Sequence, residues 1–220
     1  NLGNCYFLGE GVTKDYSQAL RWYKRAAEQG SSWGQNRMGV YYLEGPENER
    51  DEKLAVQWFR LAAAQNYPWA NLNLGNCYLQ GIGVQKNLPE VLRHYRIAAD
   101  LGEPSGFFGV ALCYENGYGV DQNSQVALKW YVKAADMGLA AAQYRLAHMY
   151  QSGEIVEQDH VQAAKWYVKA AKQGDQWAQN NLGVMYANGQ GVVENQAEAV
   201  RWYSRAAEQG NDVAQNNLAW

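Results

Sequence analysis

The chain of 220 residues is poor in nearly everything that catalysis, metal binding or membrane insertion draws on. It has 3 His, and His94, His148 and His160 fall at spacings that match no metal-ligand or triad motif. Ser-x-x-Lys and His-Glu-x-x-His are absent. With only 4 Pro beside 22 Gly and 47% hydrophobic residues, collagen-like and disordered compositions are excluded. Lys and Arg number 19 against 22 Asp and Glu, a net charge of −3, so the basic footprint that nucleic acid or an anionic membrane requires is missing. No apolar run approaches the roughly 18 residues of a bilayer span, which excludes membrane insertion by a helix. Alternating β-type runs of useful length are also missing.

What is present is a period. Aligned at 36 residues, the chain gives six full units and four residues over, without insertion or deletion. Tyr6, Tyr42, Tyr78, Tyr114, Tyr150 and Tyr186 form one column, and Gly9, Gly45, Gly81, Gly117, Gly153 and Gly189 another. Asp15, Asp51, Asn87, Asn123, Asp159 and Asn195 follow, then paired alanines such as Ala26-Ala27, and each unit closes at Gly30, Asn66, Gly102, Gly138, Gly174 or Gly210.

These columns punctuate two helices per unit. Asp and Asn cap helix N-termini by accepting from free amides, and glycine after an apolar stretch suits a left-handed C-cap, with Asn66 its usual substitute. Pro68 and Pro104 fit a first helical turn. Helix A is therefore expected from about Ser32 to Glu44 and helix B from about Asp51 to Ala64, with translations by 36. The fold class is all-α. A lone helix pair cannot bury its apolar face, so the units must stack into a solenoid.

The core columns are the Leu2, Met38, Leu74, Val110, Leu146 and Leu182 series with its following small residue, the Trp22, Trp58, His94, Trp130, Trp166 and Trp202 series, and the aromatic after each of the latter. His94 reads as a partly buried stand-in for Trp. Cys5, Cys77 and Cys113 share a column, and equivalent positions in adjacent repeats lie on the order of 10 Å apart, too far for a disulfide. The Gly-x-Gly triplets lack the third glycine of a dinucleotide fingerprint and no strand precedes them. We expect no catalytic residue, no metal site and no cofactor.

At about 100° per residue, positions 34, 38, 41 and 42 of helix A share the core side, whereas 33, 36, 40, 43 and 44 share the opposite one. The second set varies most between repeats and is unusually apolar for a solvated face. Its candidate partner-binding residues are Trp33, Asn36, Val40, Trp69, Leu72, Asn76, Phe108, Leu112, Tyr144, His148, Trp177, Asn180 and Trp220. Exposed aromatics with polar rims mark interaction sites, and the asparagines suit a ligand's backbone. The competing expectation is that adjacent A helices use part of this face for their own packing. A second candidate surface is the acidic hairpin around Glu47-Asn48-Glu49-Arg50, which lacks the second glycine and should bend differently and expose more charge.

The run Asn181-Leu182-Gly183-Val184-Met185-Tyr186-Ala187-Asn188-Gly189-Gln190-Gly191-Val192, followed by Asn195 and an Ala-x-x-Trp-Tyr-x-x-Ala-Ala segment, resembles the Sel-1-like repeat (SLR) family, which is related to tetratricopeptide repeats. The resemblance implies a right-handed α/α superhelix with helix A on the concave side, and a bacterial adaptor, periplasmic or secreted in preference to cytoplasmic. It implies no shared reaction. The organisation expected is one array over 1–220, with repeats near 1–30, 31–66, 67–102, 103–138, 139–174 and 175–210 and a partial unit 211–220. Asn217-Leu218-Ala219-Trp220 repeats the phase of Asn1-Leu2-Gly3-Asn4, as if helix A were cut at both ends of a window onto a longer array.

The function expected is a non-catalytic protein–protein interaction scaffold that grips an extended peptide or a helix of a partner along the aromatic concave face. The alternative is a regulatory module of a cell-envelope enzyme or of a larger catalytic chain.

Overall fold

A computed structural model describes residues 2–218 of the chain. Among the described residues the secondary structure is helical throughout, apart from turns. In chain order the helices are α1 (Leu2–Leu8), α2 (Tyr16–Glu28), α3 (Ser32–Glu44), α4 (Glu52–Ala63), α5 (Pro68–Gln80), α6 (Leu88–Asp100), α7 (Pro104–Asn116), α8 (Ser124–Asp136), α9 (Ala140–Ser152), α10 (His160–Lys172), α11 (Gln176–Asn188), α12 (Gln196–Glu208) and α13 (Asp212–Leu218). The expected bounds of helices A and B are met to within a residue or two at α3 and α4.

The helix starts follow from chemistry local to each loop. The Asp15, Asp51, Asn87, Asn123, Asp159 and Asn195 side chains each accept the amide three residues on, at 2.9–3.3 Å. Each such cap contributes about 1 kcal/mol. The same residues anchor the loop. The amides of Asp15, Asp51, Asn87, Asp159 and Asn195 donate to the carbonyls of Tyr6, Tyr42, Tyr78, Tyr150 and Tyr186. Pro68 and Pro104 stand in the first turn of α5 and α7, where no amide hydrogen is needed. Gly81, Gly117, Gly153 and Gly189 are left-handed C-caps, and Asn66 has φ 57° at a unit's close. Gly45 departs from its column: its φ is −71°, because the chain enters a short 3₁₀ turn (Glu47–Glu49) instead of the Gly-x-Gly turn. That turn is held by the Tyr41 hydroxyl donating to Glu49 (2.7 Å) and by Arg50 Nε donating to the Gly45 carbonyl (3.0 Å), and its Glu47–Arg50 stretch is exposed as expected.

The chain divides into two compact units, Asn1–Gln122 and Asn123–Trp220. In the first, α1 to α7 pack each against the next, and α5 also meets α7, the helix of the same kind one repeat on. In the second, α8 to α13 form the same kind of stack. Each is thus a solenoid, with layers of core rather than one centre. Representative layers are Tyr23, Met38 and Tyr41 in the first unit, and Tyr167, Leu182 and Met185 in the second.

The packing partner of the small residue on helix A is the second aromatic of helix B, in the same unit. A Cβ on Gly39, Gly75 or Gly183 would run into the ring of Phe59, Tyr95 or Tyr203. That aromatic column is buried throughout, whereas the preceding Trp column is buried only at His94 and Trp202. Trp22, Trp130 and Trp166, and the buried Trp202 too, carry a basic side chain from the next turn over their rings: Arg25, Lys133, Lys169 and Arg205. The expectation that both aromatic columns are core is thus corrected. The Tyr6 column is likewise half-buried, and the deeper position is the Cys/Tyr/Met column beside it. Cys5, Cys77 and Cys113 are free thiols, with Cys77 and Cys113 buried.

Candidate functional site

Position 33 and its translations start helix A, so their side chains stand at one edge of the helix layer, where the cap residue has just turned the chain. In the first unit this edge holds two adjoining pockets with Trp69 as their common wall. One, of about 280 Å³, is lined by Asn36, Arg37, Val40, Glu44, Tyr67, Trp69 and Asn73. The other, of about 290 Å³, is lined by Trp69, Leu72, Asn73, Asn76, Tyr95, Ser105, Phe108, Gly109 and Leu112. Seven of the residues chosen from the sequence therefore come together here: Asn36, Val40, Trp69, Leu72, Asn76, Phe108 and Leu112. Trp69 is 49% exposed, an unusual state for the largest apolar side chain.

The polar members are partly committed. Asn36 is buried and its Oδ1 accepts from Asn73 Nδ2 (2.9 Å), one repeat on. Asn180 is buried in the same way, accepting from Asn217 Nδ2 at 3.0 Å. These two asparagines therefore tie adjacent A helices together, and the expectation that they face a ligand's backbone is corrected. A buried amide has to find its partner inside the protein, and the equivalent turn of the next repeat supplies one. Asn76 accepts from the Tyr95 hydroxyl (2.5 Å) but is exposed, which leaves its amide hydrogens directed to solvent. Leu72 is buried and forms pocket floor.

The remaining candidates divide by environment. Trp33 is half-buried, edge-on to Tyr23 at 5.8 Å with Arg37 over its ring at 5.7 Å, so it closes the core. In the second unit Tyr144 is half-buried against Tyr167, His148 is exposed, and Trp177 is 50% exposed. Trp220 lies outside the described residues.

Sequence reasoning placed position 44 on this face without choosing Glu44, and missed Arg37, Tyr67 and Asn73. Tyr67 carried a signal, because it occupies the cap position of α5 without making a side-chain cap bond, in a column where Ser31, Asp175 and Asn211 do cap. An aromatic in a capping column is free for other duty. Burial holds its hydroxyl pKa above the ordinary tyrosine value, with nearby Arg37 opposing, so the group stays a protonated donor. Arg37 and Glu44 place one charge of each sign on the rim.

No group of three or more His, Cys, Asp or Glu able to hold a metal occurs among the described residues. Nor is any helix there long and apolar enough to cross a membrane.

The model of the Sel1 repeat matches residues 1–31, 34–67, 70–103, 108–139, 140–175 and 178–211. Among solved structures, the chain is 35% identical to a Sel1 repeat protein from Oxalobacter formigenes, with TM-score 0.88, over 99% of this chain and 63% of that one. It is 38% identical to a protective antigen present in uropathogenic Escherichia coli strains and displaying an SLR fold, with TM-score 0.81, over 99% of this chain and 46% of that one. It is 25% identical to an immunity protein from Pseudomonas aeruginosa, with TM-score 0.61, over 83% of this chain and 67% of that one. The chain thus spans less than two thirds of the length of the first two. No curated protein matches it.

Proposed function

The chain belongs to the Sel1 repeat family, and from that premise we propose that it is a non-catalytic scaffold whose A-helix face in the first unit grips an extended peptide or a helix of a protein partner. Sel1 repeat proteins generally mediate protein–protein interaction. The observation that carries the reading here is the pair of pockets sharing Trp69. Two adjoining pockets separated by an aromatic wall, the one toward Phe108 apolar and the one toward Arg37 largely polar, suit an apolar anchor and a polar side chain of one bound segment. The Asn76 amide and the Tyr67 hydroxyl supply donors to that segment's carbonyls, and Arg37 with Glu44 selects its flanking charges.

The test is a pull-down with the purified chain, identification of the partner by mass spectrometry, and titration of the partner segment against Trp69→Ala. Truncating a central aromatic anchor should weaken binding by about 2 kcal/mol, some thirtyfold. A folded Trp69→Ala protein that binds with unchanged affinity would refute the site.

An alternative function is regulation of a cell-envelope enzyme or of a larger catalytic chain, supported by the greater length of two relatives that each match 99% of this chain. The captured partner decides: on that reading it is an enzyme whose rate changes on binding. The likeness to a protective antigen supports a periplasmic or secreted location.

A further inference from the structure

The second and third repeats depart from their columns at three positions that converge on one place. His94 stands where the other five units have Trp, Asn71 where four other units have Gln, and Asn66 where the other five have Gly. All three line a cleft of about 320 Å³ in the first unit, together with Arg60, Tyr78 and Arg93. The cleft lies on the side of α5 away from Trp69, since at about 100° per residue Asn71 and Tyr78 are roughly opposite Trp69 and Asn76. An imidazole where an indole would stand leaves the space open.

The hydrogen bonds fix the chemistry of the walls. Asn71 Nδ2 donates to the Tyr67 carbonyl, so its Oδ1 is the atom that faces His94 Nδ1 at 2.9 Å. His94 Nδ1 therefore carries the proton, and Nε2 accepts from Arg93 Nη2 at 3.1 Å. The imidazole, 6% exposed and stacked on Tyr78 at 5.6 Å, is a neutral, fully used group. Glu90 is likewise saturated, accepting from Arg93 Nε and Nη2 at 2.7–3.1 Å.

What is left over is mainly donor. Arg60 spends one N–H on the Tyr78 oxygen (3.1 Å) and has no carboxylate within ion-pair distance among the described residues. The Tyr78 O–H and the Asn66 amide donate to no protein acceptor there. A cleft with one guanidinium that no carboxylate pairs, further free donors and no acid among its lining residues matches a ligand rich in acceptors that carries one negative charge.

We propose that this cleft binds a carboxylate, held by the Arg60 fork with Tyr78 and Asn66 as supporting donors. A small organic acid and the C-terminus of a polypeptide offer the same chemistry.

The test titrates the purified chain, labelled at His and Tyr, with acetate, benzoate, N-acetylphenylalanine, N-acetylphenylalaninamide and inorganic phosphate, following the His94 and Tyr78 resonances. Saturable shifts with the carboxylates and none with the amide are expected. N-acetylphenylalanine as the tightest of them points to a chain terminus, and acetate or benzoate to a small acid. Arg60→Gln, an exposed change, should weaken binding about tenfold by removing a charge-assisted fork, and His94→Trp should abolish it by filling the cleft. Trp69→Ala should leave it unchanged, so failure here is separate from failure of the peptide site. Absence of saturable shifts, equal binding of acid and amide, preference for phosphate, or full binding by Arg60→Gln would each overturn the assignment. Should His94→Trp not fold, Arg60→Gln decides alone.

Discussion

Replacing Gly83 by alanine tests how one repeat locks onto the next. Gly83 is the second glycine of its Gly-x-Gly turn, with φ 64°, and a Cβ there would overlap the backbone carbonyl of Glu52 and stand 3.0 Å from the Lys53 amide nitrogen. The loop is pressed against the first turn of α4, and the Gly83 amide donates to the Glu52 carboxylate at 3.1 Å. The same approach recurs in the second unit, where Gly191 lies against the His160 carbonyl. Gly11 provides the internal control: its φ is 72°, equally left-handed, but nothing lies within 4 Å of its Cβ position. Alanine at Gly11 costs only the left-handed conformation, about 1–2 kcal/mol. Alanine at Gly83 adds a backbone clash that no rotamer relieves, a further 1–3 kcal/mol by analogy with overpacking. The expected totals are about 1.5 and about 3.5 kcal/mol, read as the shift in urea midpoint by far-UV circular dichroism with an unchanged slope. In Tm, roughly 2–4 °C per kcal/mol for a protein of this size, Gly83→Ala should lie about 4–8 °C below Gly11→Ala. Equal losses in the two variants would refute the argument, because the close approach would then contribute nothing.

Three further outcomes follow from buried polar groups. Gln143 is buried, donating to the Ala135 carbonyl (3.1 Å) and accepting from Gln173 (2.8 Å). Gln143→Ala should therefore cost about 1–3 kcal/mol in urea unfolding, and a loss under ~0.5 kcal/mol would mean the clamp is idle. Burial, then the adjacent Arg93, depresses the His94 pKa to about 4 from an ordinary 6.5, with Glu90 opposing. The native state thus resists the proton that the unfolded chain accepts, so the stability held above pH 6.5 declines as pH falls from there toward 4, by about 3 kcal/mol in all. Urea midpoints for wild type and His94→Trp should converge or cross over that window, and parallel profiles would count against it. Burial pushes the Cys77 and Cys113 thiols up to about 11 and about 12. Only half-buried Cys5 should react with a thiol reagent in the folded protein, the other two following after denaturation, and prompt labelling of all three would contradict the packing.

The candidate site shows where a linear reading stops. Trp69 stood out in the sequence because a Trp column pointed away from the core, and the pockets on either side of it include that position. Asn36 and Asn180 looked alike as free polar residues, yet their partners Asn73 and Asn217 lie 37 residues ahead, a separation at which one sequence shows no pairing. The Arg60 and His94 cleft was invisible for a similar reason. His94 was conspicuous as a departure, but its meaning depends on Asn71 and Tyr78 from a neighbouring helix.

Helix number, bounds and caps were legible because they are local: an Asp or Asn caps an amide three residues away, and a glycine adopts positive φ wherever it stands. The period of 36, with its invariant small and aromatic columns, also established that the units stack. Which aromatic is buried was settled by packing. Trp and Tyr are adjacent in helix B and similarly apolar, and only the groove over Gly39, Gly75 or Gly183 selects the second ring for the core and leaves most of the first to a cationic cover. The second glycine of Gly-x-Gly belongs with these: its necessity comes from a carbonyl of the preceding repeat, and close approach between distant segments is a property of three dimensions.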